Sequence, residues 1–349
     1  MRREIRAVRG LLFILLVILL GNLSVILNIS ADRSGSLLGY NDSFIIVDID
    51  GYGDYRCIQD AVDNAPNGST IYIREGLYNE NIYIKKRISL IGQSIHSTVV
   101  SSTSDNVLYG IRVESSDVII SNLSITNSNP SLYSTGIYIS SSRTIVDNCR
   151  VYGTRIGIAV WSSYNTISNC VVTGCSDEGI ALLGTEISQC GYNTINGCRL
   201  YGNGDGIEMQ SSSYNNIINC EIYDNTHTGI NCIGSSNNNN VISSSRIYSN
   251  KVHGLYLSDS SGNQVTGSYI SDNFEDDVLE VRGSYDNYFN GCIGNPQVYE
   301  MFDSDSSFNN VYKGFFSHML DNEYSRLSYI LHLIFSRVRM CIQRVIDVS

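Results

Sequence analysis

The chain predicts an all-β fold: a single-stranded right-handed parallel β-helix, a solenoid, with an N-terminal helical cap and a C-terminal helix. The first observation is a repeat of 21 to 28 residues between Gly110 and Asn310, clearest in YNTISNC (Tyr164 to Cys170), YNTINGC (Tyr192 to Cys198) and YNNIINC (Tyr214 to Cys220). The second is the short apolar strand and Gly-Ile or Gly-Leu step that follows each copy. The third is composition: 30 Gly, 24 Tyr, only 3 Pro and 16 % charged residues, with a hydrophobic fraction of 42 % that recurs in register. Repeats this short cannot each bury an apolar face alone, so they must stack.

Four segments follow in order. Residues 1–30 read as a signal peptide or membrane anchor, because four arginines among residues 2 to 9 precede the apolar run Leu11 to Ile29. Residues 31–45 are a Ser/Gly/Asn-rich spacer. Residues 46–315 form the β-helix with its N-terminal cap. There a strand is expected over Phe44 to Asp50, and a helix over Tyr55 to Ala65 with Ile58, Ala61, Val62 and Ala65 on one face. Pro66, Asn67 and Gly68 stop that helix, and strands follow at Thr70 to Ile73, Asn81 to Ile84 and Ile88 to Ile91. A helix at this point covers the open end of the first rung. Residues 316–349 read as an amphipathic helix, with Leu327, Ile330, Leu331, Ile334, Phe335 and Val338 at helical spacing. It caps the last coil, lies on a membrane surface or docks to a partner.

Within a coil the alternation assigns Ile195, Cys198, Leu200, Ile207 and Met209 inward and Arg199 and Glu208 outward. Ile137, Ile158, Ile180, Ile207, Ile230 and Leu255 should form one aliphatic spine. Asn165, Asn193, Asn215, Asn240, Asn263, Asn287 and Asn310 recur at one corner, and Asn203, Asn225, Asn250 and Asn273 at another. Asparagine tolerates the left-handed conformation and can bond to the rung above, so both series read as scaffold. Cys149, Cys170, Cys198, Cys220 and Cys292 share a slot that Leu123, Ser245 and Ser268 fill elsewhere. Free core thiols, one or two disulfides, and metal ligation are all open there.

A net charge of −11 with no basic stripe excludes a nucleic-acid partner. No phosphate loop, Gly-x-Ser-x-Gly elbow or His-Glu-x-x-His is present. Ionisable outward residues sharing a register are the remaining route to chemistry. Before the Gly step stand Glu178, Asp205, Thr228, His253 and Asp277, with Asp177, His227 and Asp276 one place earlier, and Glu208 and Glu280 just beyond on the same outward face. Asp177, Glu178, Asp205, Glu208, His227 and His253 form a patch over four coils, roughly 15 Å at the usual strand spacing, and Asp205, Glu208, His227 and His253 are the candidate catalytic set within it. Paired carboxylates there suit glycoside cleavage, and a carboxylate beside a histidine suits proton abstraction next to a uronate carboxyl. Asp177, Glu178 and Asp205 are candidate ligands for Ca²⁺ or a softer metal such as copper. Tyr201, Tyr223 and Tyr248, in register with Tyr152, form an outward aromatic column that would bind sugar rings or pack at a corner. Arg199, Glu221 and Arg246 form an outward ladder of alternating sign.

The segment IVDIDGYGDYRCIQDAVDNAPNGSTIYIREGLYNENIYIKKRISLIGQS, Ile46 to Ser94, resembles the N-terminal portion of β-helix proteins of the pectin lyase-like superfamily, which holds pectin esterases and pectate lyases. The repeats that follow are also similar to periplasmic accessory β-helices linked to copper-site maturation in nitrous oxide reductase. The Asp-Phe-x-x-Gly block of pectin methylesterases is absent here, as is the Asp-Pro-His-Asp block of alginate-epimerase-like proteins. The resemblance implies an exported protein, at the cell surface, in the periplasm or secreted, that binds or presents a polysaccharide or cell-surface glycan. Its alternatives are a polysaccharide lyase, epimerase or hydrolase, and a non-catalytic structural or metal-site assembly accessory.

Overall fold

The computed structural model describes residues 43–102, 108–127, 134–185, 188, 190–234, 237–281, 283–294, 296–298 and 310–313. The signal or anchor segment and the C-terminal helix lie outside these residues. Among the described residues no helix is long and apolar enough to cross a membrane.

Among the described residues the chain winds through three parallel sheets of 12, 9 and 10 strands, visited in turn in each coil. One coil shows the path: Thr194–Asn196 in the first sheet, Arg199–Tyr201 in the second and Asp205–Gln210 in the third. The bend between first and second sheets is made by single left-handed residues, Asn148 (φ 47°), Asn169 (φ 52°), Gly197 (φ 64°) and Asn219 (φ 54°). Asparagine and glycine are the residues that reach this conformation at least cost, which is why the repeat reads Asn-Cys or Gly-Cys there.

Helix α1, Ile58–Asn64, buries Ile58, Ala61 and Val62 over the first rungs. It is shorter than the Tyr55 to Ala65 expectation because its N-terminus is fixed from afar. Glu80 Oε1 and Oε2 accept the N–H groups of Ile58 and Gln59, each at 2.9 Å. The strands at Phe44–Val47, Thr70–Ile73, Ile82–Ile84 and Ser89–Gly92 match the expected ones within a few residues. Gly76–Tyr78 is an additional strand that the sequence pattern did not reveal.

The expected spine is present. Ile137, Ile158, Ile180, Ile207, Ile230 and Leu255 pair in successive strands, and each is fully buried. The asparagines form two one-way ladders, in which the backbone N–H and the Nδ2 of each residue donate to Oδ1 of the next. Between Asn193 and Asn215 these distances are 2.9 and 3.1 Å, and between Asn203 and Asn225 they are 3.0 and 3.1 Å.

A one-way ladder must end in an acceptor, and a carboxylate ends each one. Asn273 donates to Asp277 Oδ1 from its N–H at 3.2 Å and its Nδ2 at 3.1 Å. Glu280 accepts from Asn287 Nδ2 and Asn310 Nδ2, both at 2.9 Å. The outward placement expected for Glu280 is therefore corrected: Glu280 pairs with inward Leu257 and is 2 % exposed. The physical reason is the shortage of acceptors at the ladder's end, which outweighs burial of a carboxyl that receives two hydrogen bonds.

The nine described cysteines are free thiols, eight of them buried. Burial pushes the Cys170 and Cys232 thiols well up and the Cys175 thiol to about 11. A buried, protonated thiol is inert. Mass spectrometry after native iodoacetamide treatment should find Cys57, the exposed one, modified among these nine, and the other eight modified only after denaturation. Fast native labelling of Cys198 or Cys220 would contradict the close-packed core.

Candidate functional site

The third sheet presents its outer face as columns one strand spacing apart, about 4.8 Å. Register sets Ile156, Glu178, Asp205, Thr228 and His253 side by side, and Ala159, Ala181, Glu208, Asn231 and Tyr256 in a parallel column three residues further on. Asp276, not Asp277, continues the first column beside His253, because Leu255 pairs with Val278. Asp277 instead takes the place of the step glycine and serves the asparagine ladder.

Of the residues read from the sequence, the fold gathers four acids: Asp177, Glu178, Asp205 and Glu208. Asp177 is salt-bridged to Arg155, the residue beside it one coil earlier. Asp205 is held by two donors, the Thr228 N–H at 2.8 Å on Oδ1 and Asn231 Nδ2 at 2.8 Å on Oδ2. Glu178 is 8 % exposed, and its Oε2 is buried with no hydrogen-bond partner. Burial first, then the charges of Glu208 and Asp177, push the Glu178 carboxyl up to about 8. Burial, followed by the charges of Asp205 and Asp177, pushes Glu208 up to about 7 against the opposing pull of Arg155. One face thus holds two carboxyls raised well above the usual carboxylate range beside a third, Asp205, oriented by two donors.

The two histidines stand apart from this group. His253 is two strands from Asp205, about 10 Å along the axis, with Thr228 between them. Its ring stacks on Tyr256 at 5.7 Å, its Nε2 lies 3.7 Å from Glu275 and its Nδ1 lies 3.4 Å from Asp276 Oδ2. Burial raises the Asp276 carboxyl, and the neighbouring His253 lowers it. His227 is exposed, and its backbone is laddered beside Gly204. The catalytic set expected from sequence is thus divided, because alternate coils carry Thr228 and Gly204 where a compact cluster would need ionisable groups. Among the described residues no group of three or more His, Cys, Asp or Glu side chains is arranged to hold a metal ion.

Arg155 and Asn231 escaped the sequence reading. Asn231 was legible as the residue one coil beyond Glu208. Arg155 precedes a coil with no acid of its own, so only the pairing to Asp177 reveals it.

On the second sheet, Tyr201, Tyr223 and Tyr248 stack at centroid separations of 5.1 Å with interplanar angles of 12° and 4°. Tyr223 is covered on both faces, while Tyr201 has Thr173 and Tyr248 has Ser271 as its outer neighbour, with Arg246 over the Tyr248 ring. Tyr152 is not continuous with this column, since Thr173 stands between Tyr152 and Tyr201. Beside it, Glu221 bridges Arg199 at 3.4 Å and Arg246 at 3.6 Å, the expected ladder. A second column, Tyr164, Tyr192 and Tyr214, stacks equally closely at 5.1 Å and 4°. Its residues have φ between 58° and 65°, a conformation costly for tyrosine that mutual stacking offsets.

Comparison with known proteins places the fold. Residues 157–295 match the right-handed beta helix region, and residues 44–180 match pectinesterase. Two pectinesterases of Arabidopsis thaliana are 27 % identical to the chain: pectinesterase 4 over 150 residues (38 % of this chain, 26 % of that protein) and pectinesterase 31 over 154 residues (37 % and 49 %). The chain spans about half or less of the length of the curated relatives it matches. Pectate lyase Pel9A superposes with a TM-score of 0.56 at 15 % identity, over 82 % of this chain and 85 % of that one. The A-module of mannuronan C-5 epimerase AlgE4 from Azotobacter vinelandii superposes with 0.53 at 16 %, over 74 % and 91 %. At such identities these are likenesses of fold. The chain is a right-handed parallel β-helix related to the pectin lyase-like superfamily, and none of these matches points to copper-maturation proteins. The pectinesterase match ends at residue 180, so the acid group straddles its boundary.

Proposed function

We propose that this is an extracytoplasmic polysaccharide-modifying enzyme that cleaves glycosidic bonds at the outer face of the third sheet, with Glu178 as general acid and Asp205 as its carboxylate partner. The observation that carries the reading is the buried, unpartnered Glu178 Oε2 one strand from a carboxylate whose two oxygens are both oriented by donors. The names of the relatives, pectinesterases, a pectate lyase and a mannuronan epimerase, support a polysaccharide as the substrate class and an extracytoplasmic site of action.

In the proposed step, Glu178 gives its proton to the departing glycosidic oxygen. Asp205 attacks the anomeric carbon as the glycosidic bond breaks; in the second half-reaction water attacks that carbon, its proton returns to Glu178, and the bond to Asp205 breaks as the sugar gains its new hydroxyl. Carboxyls on neighbouring strands favour the close spacing, about 5 Å, of the double-displacement route. Glu208, pushed up to about 7, contributes through its charge to holding the Glu178 proton. Hydrolysis is preferred to elimination next to a uronate carboxyl because Arg155 and Arg112, cations on this face, are already engaged, by Asp177 and by Glu114. Asp177 and Asp205 would then repel an anionic sugar.

The test incubates purified protein with a panel of neutral and acidic polysaccharides and reads reducing ends, unsaturated ends, epimer ratio and released methanol. New reducing ends without unsaturation support the proposal. Unsaturated ends, C5 inversion or methanol alone replace it with elimination, epimerisation or ester hydrolysis, and binding without any product reduces the protein to a glycan-binding module.

A further inference from the structure

The geometry points to Trp161, with Tyr138 beside it, as the surface on which a sugar ring of the polysaccharide stacks next to the acid group. This rests on the reading of the third-sheet face as the polysaccharide site. It departs from the tyrosine column of the second sheet as the place where sugars bind.

A pyranose packs its C–H face on an aromatic ring only where that ring's face is free. The Tyr201, Tyr223 and Tyr248 rings, and those of Tyr164, Tyr192 and Tyr214, lie within 12° of parallel at 5.1 Å and use one another's faces. Around Trp161 the rings are tilted instead, and the Arg112 guanidinium lies 5.4 Å from the Tyr138 ring centre, so the indole rather than Tyr138 is the ring offered to a sugar. Tyr138 and Trp161 meet at 6.5 Å and 36°, and Tyr109 and Tyr138 at 4.4 Å and 41°. Trp161 is 40 % exposed although its backbone is held in the sheet by a 2.8 Å bond from its N–H to the Ile139 carbonyl. An apolar indole presented to water from a rigid strand end is a pre-organised binding surface.

Its position relative to the acids completes the argument. Trp161 follows Val160, which pairs with Leu182, so the indole sits beside Leu183. Ala159, Ala181 and Leu183 form an outer apolar step against which Tyr138 and Ile156 pack. The alanine column leads directly to Glu208: Tyr138, Ala159, Ala181 and Glu208 are successive neighbours, about 14 Å from end to end at the strand spacing. These methyl groups are themselves buried, with Tyr138 and Ile156 packed against them, so a closed apolar surface separates the Trp161 shelf from the acids. A glycan lying along the axis would rest a sugar on Trp161 while a linkage further along reaches the carboxyls. Beyond the acids the same column continues to Asn231 and Tyr256.

The chain contains a single tryptophan, so its emission reports on this surface alone. Titration with polygalacturonate, alginate and neutral galactan, alongside an independent polymer pull-down, is the experiment. With the polymer that pulls down, Trp161 emission should shift and saturate, and iodide quenching should fall. Trp161→Ala should weaken pull-down affinity by about tenfold or more, Trp161→Phe should restore most of it, and Tyr223→Ala should leave it unchanged within about twofold. Circular dichroism of each variant checks that the solenoid is intact. Saturable pull-down with an unmoved emission spectrum, or equal binding by Trp161→Ala, overturns the shelf while the acid site stands. Product release from a polymer that never perturbs Trp161 does the same. No binding and no product with any polysaccharide removes the enzyme reading and the shelf with it.

Discussion

Glu178→Gln is expected to lower turnover of the polysaccharide by about 10²- to 10⁴-fold, the usual contribution of a general acid, while leaving the fold intact. The amide has the shape of the protonated acid and none of its acidity, and the Glu178 side chain already lies in a setting that favours a neutral group. Wild-type activity should decline as pH rises through about 8, as the Glu178 proton is lost. Replacing Glu208 by Gln removes one of the charges that raise Glu178, so the alkaline limb should move to lower pH. An unmoved limb in Glu208→Gln, with Glu178→Gln fully active, would take the acid role away from this pair.

The same substitution has a signature in stability. A carboxyl raised from 4.5 to about 8 in the folded protein stabilises it fully below its unfolded value. That contribution is lost as pH climbs through the folded value. Glu178→Gln carries no such loss, so the melting temperature of the variant minus that of wild type should increase from pH 4.5 to pH 8. A difference that stays flat across that window would show that Glu178 is not desolvated.

The second large effect concerns the scaffold. Asn215→Ala should destabilise the protein by about 2 to 6 kcal/mol, from two buried donors left without their acceptor at ~1–3 kcal/mol each. Asn215 Oδ1 accepts the Asn193 N–H at 2.9 Å and the Asn193 Nδ2 at 3.1 Å, and Asn215 is fully buried. Its own Nδ2 donates to Cys190 O at 3.2 Å, Ser212 Oγ at 3.0 Å and Asn240 Oδ1 at 3.1 Å. Loss should be steeper than for half-buried Asn238→Ala, and denaturant unfolding of the two variants compares them directly. Equal midpoints would mean that the ladder is incidental to the fold.

Much of this was readable in the residues. The recurring Gly-Ile step demanded stacking, since a side chain such as Ile207 has nowhere to be buried except between Ile180 and Ile230. Recurrence of Asn165, Asn193 and Asn215 at one phase implied a corner, because an amide of fixed length meets only its own copy in the next coil. The position of Asp205 opposite Glu178 followed from counting back from the Gly step.

Other features depended on contacts that periodicity does not encode. Counted with Asp277 as the residue before the step, Glu280 takes the outward phase of Glu208, yet Asp277 itself fills the glycine place, so Glu280 falls in the inward column of Leu257 and accepts from the ladder. His253 shares a column with Asp205, but Thr228 keeps it a strand too far to join the acids.

Short-range regularity therefore determined the solenoid, its aliphatic spine and its asparagine corners, because each depends on one residue type repeating at a fixed interval. Tertiary structure alone decided which acids are dry, which aromatic faces remain open and which cation is already engaged, since these depend on what each side chain's neighbours have used up.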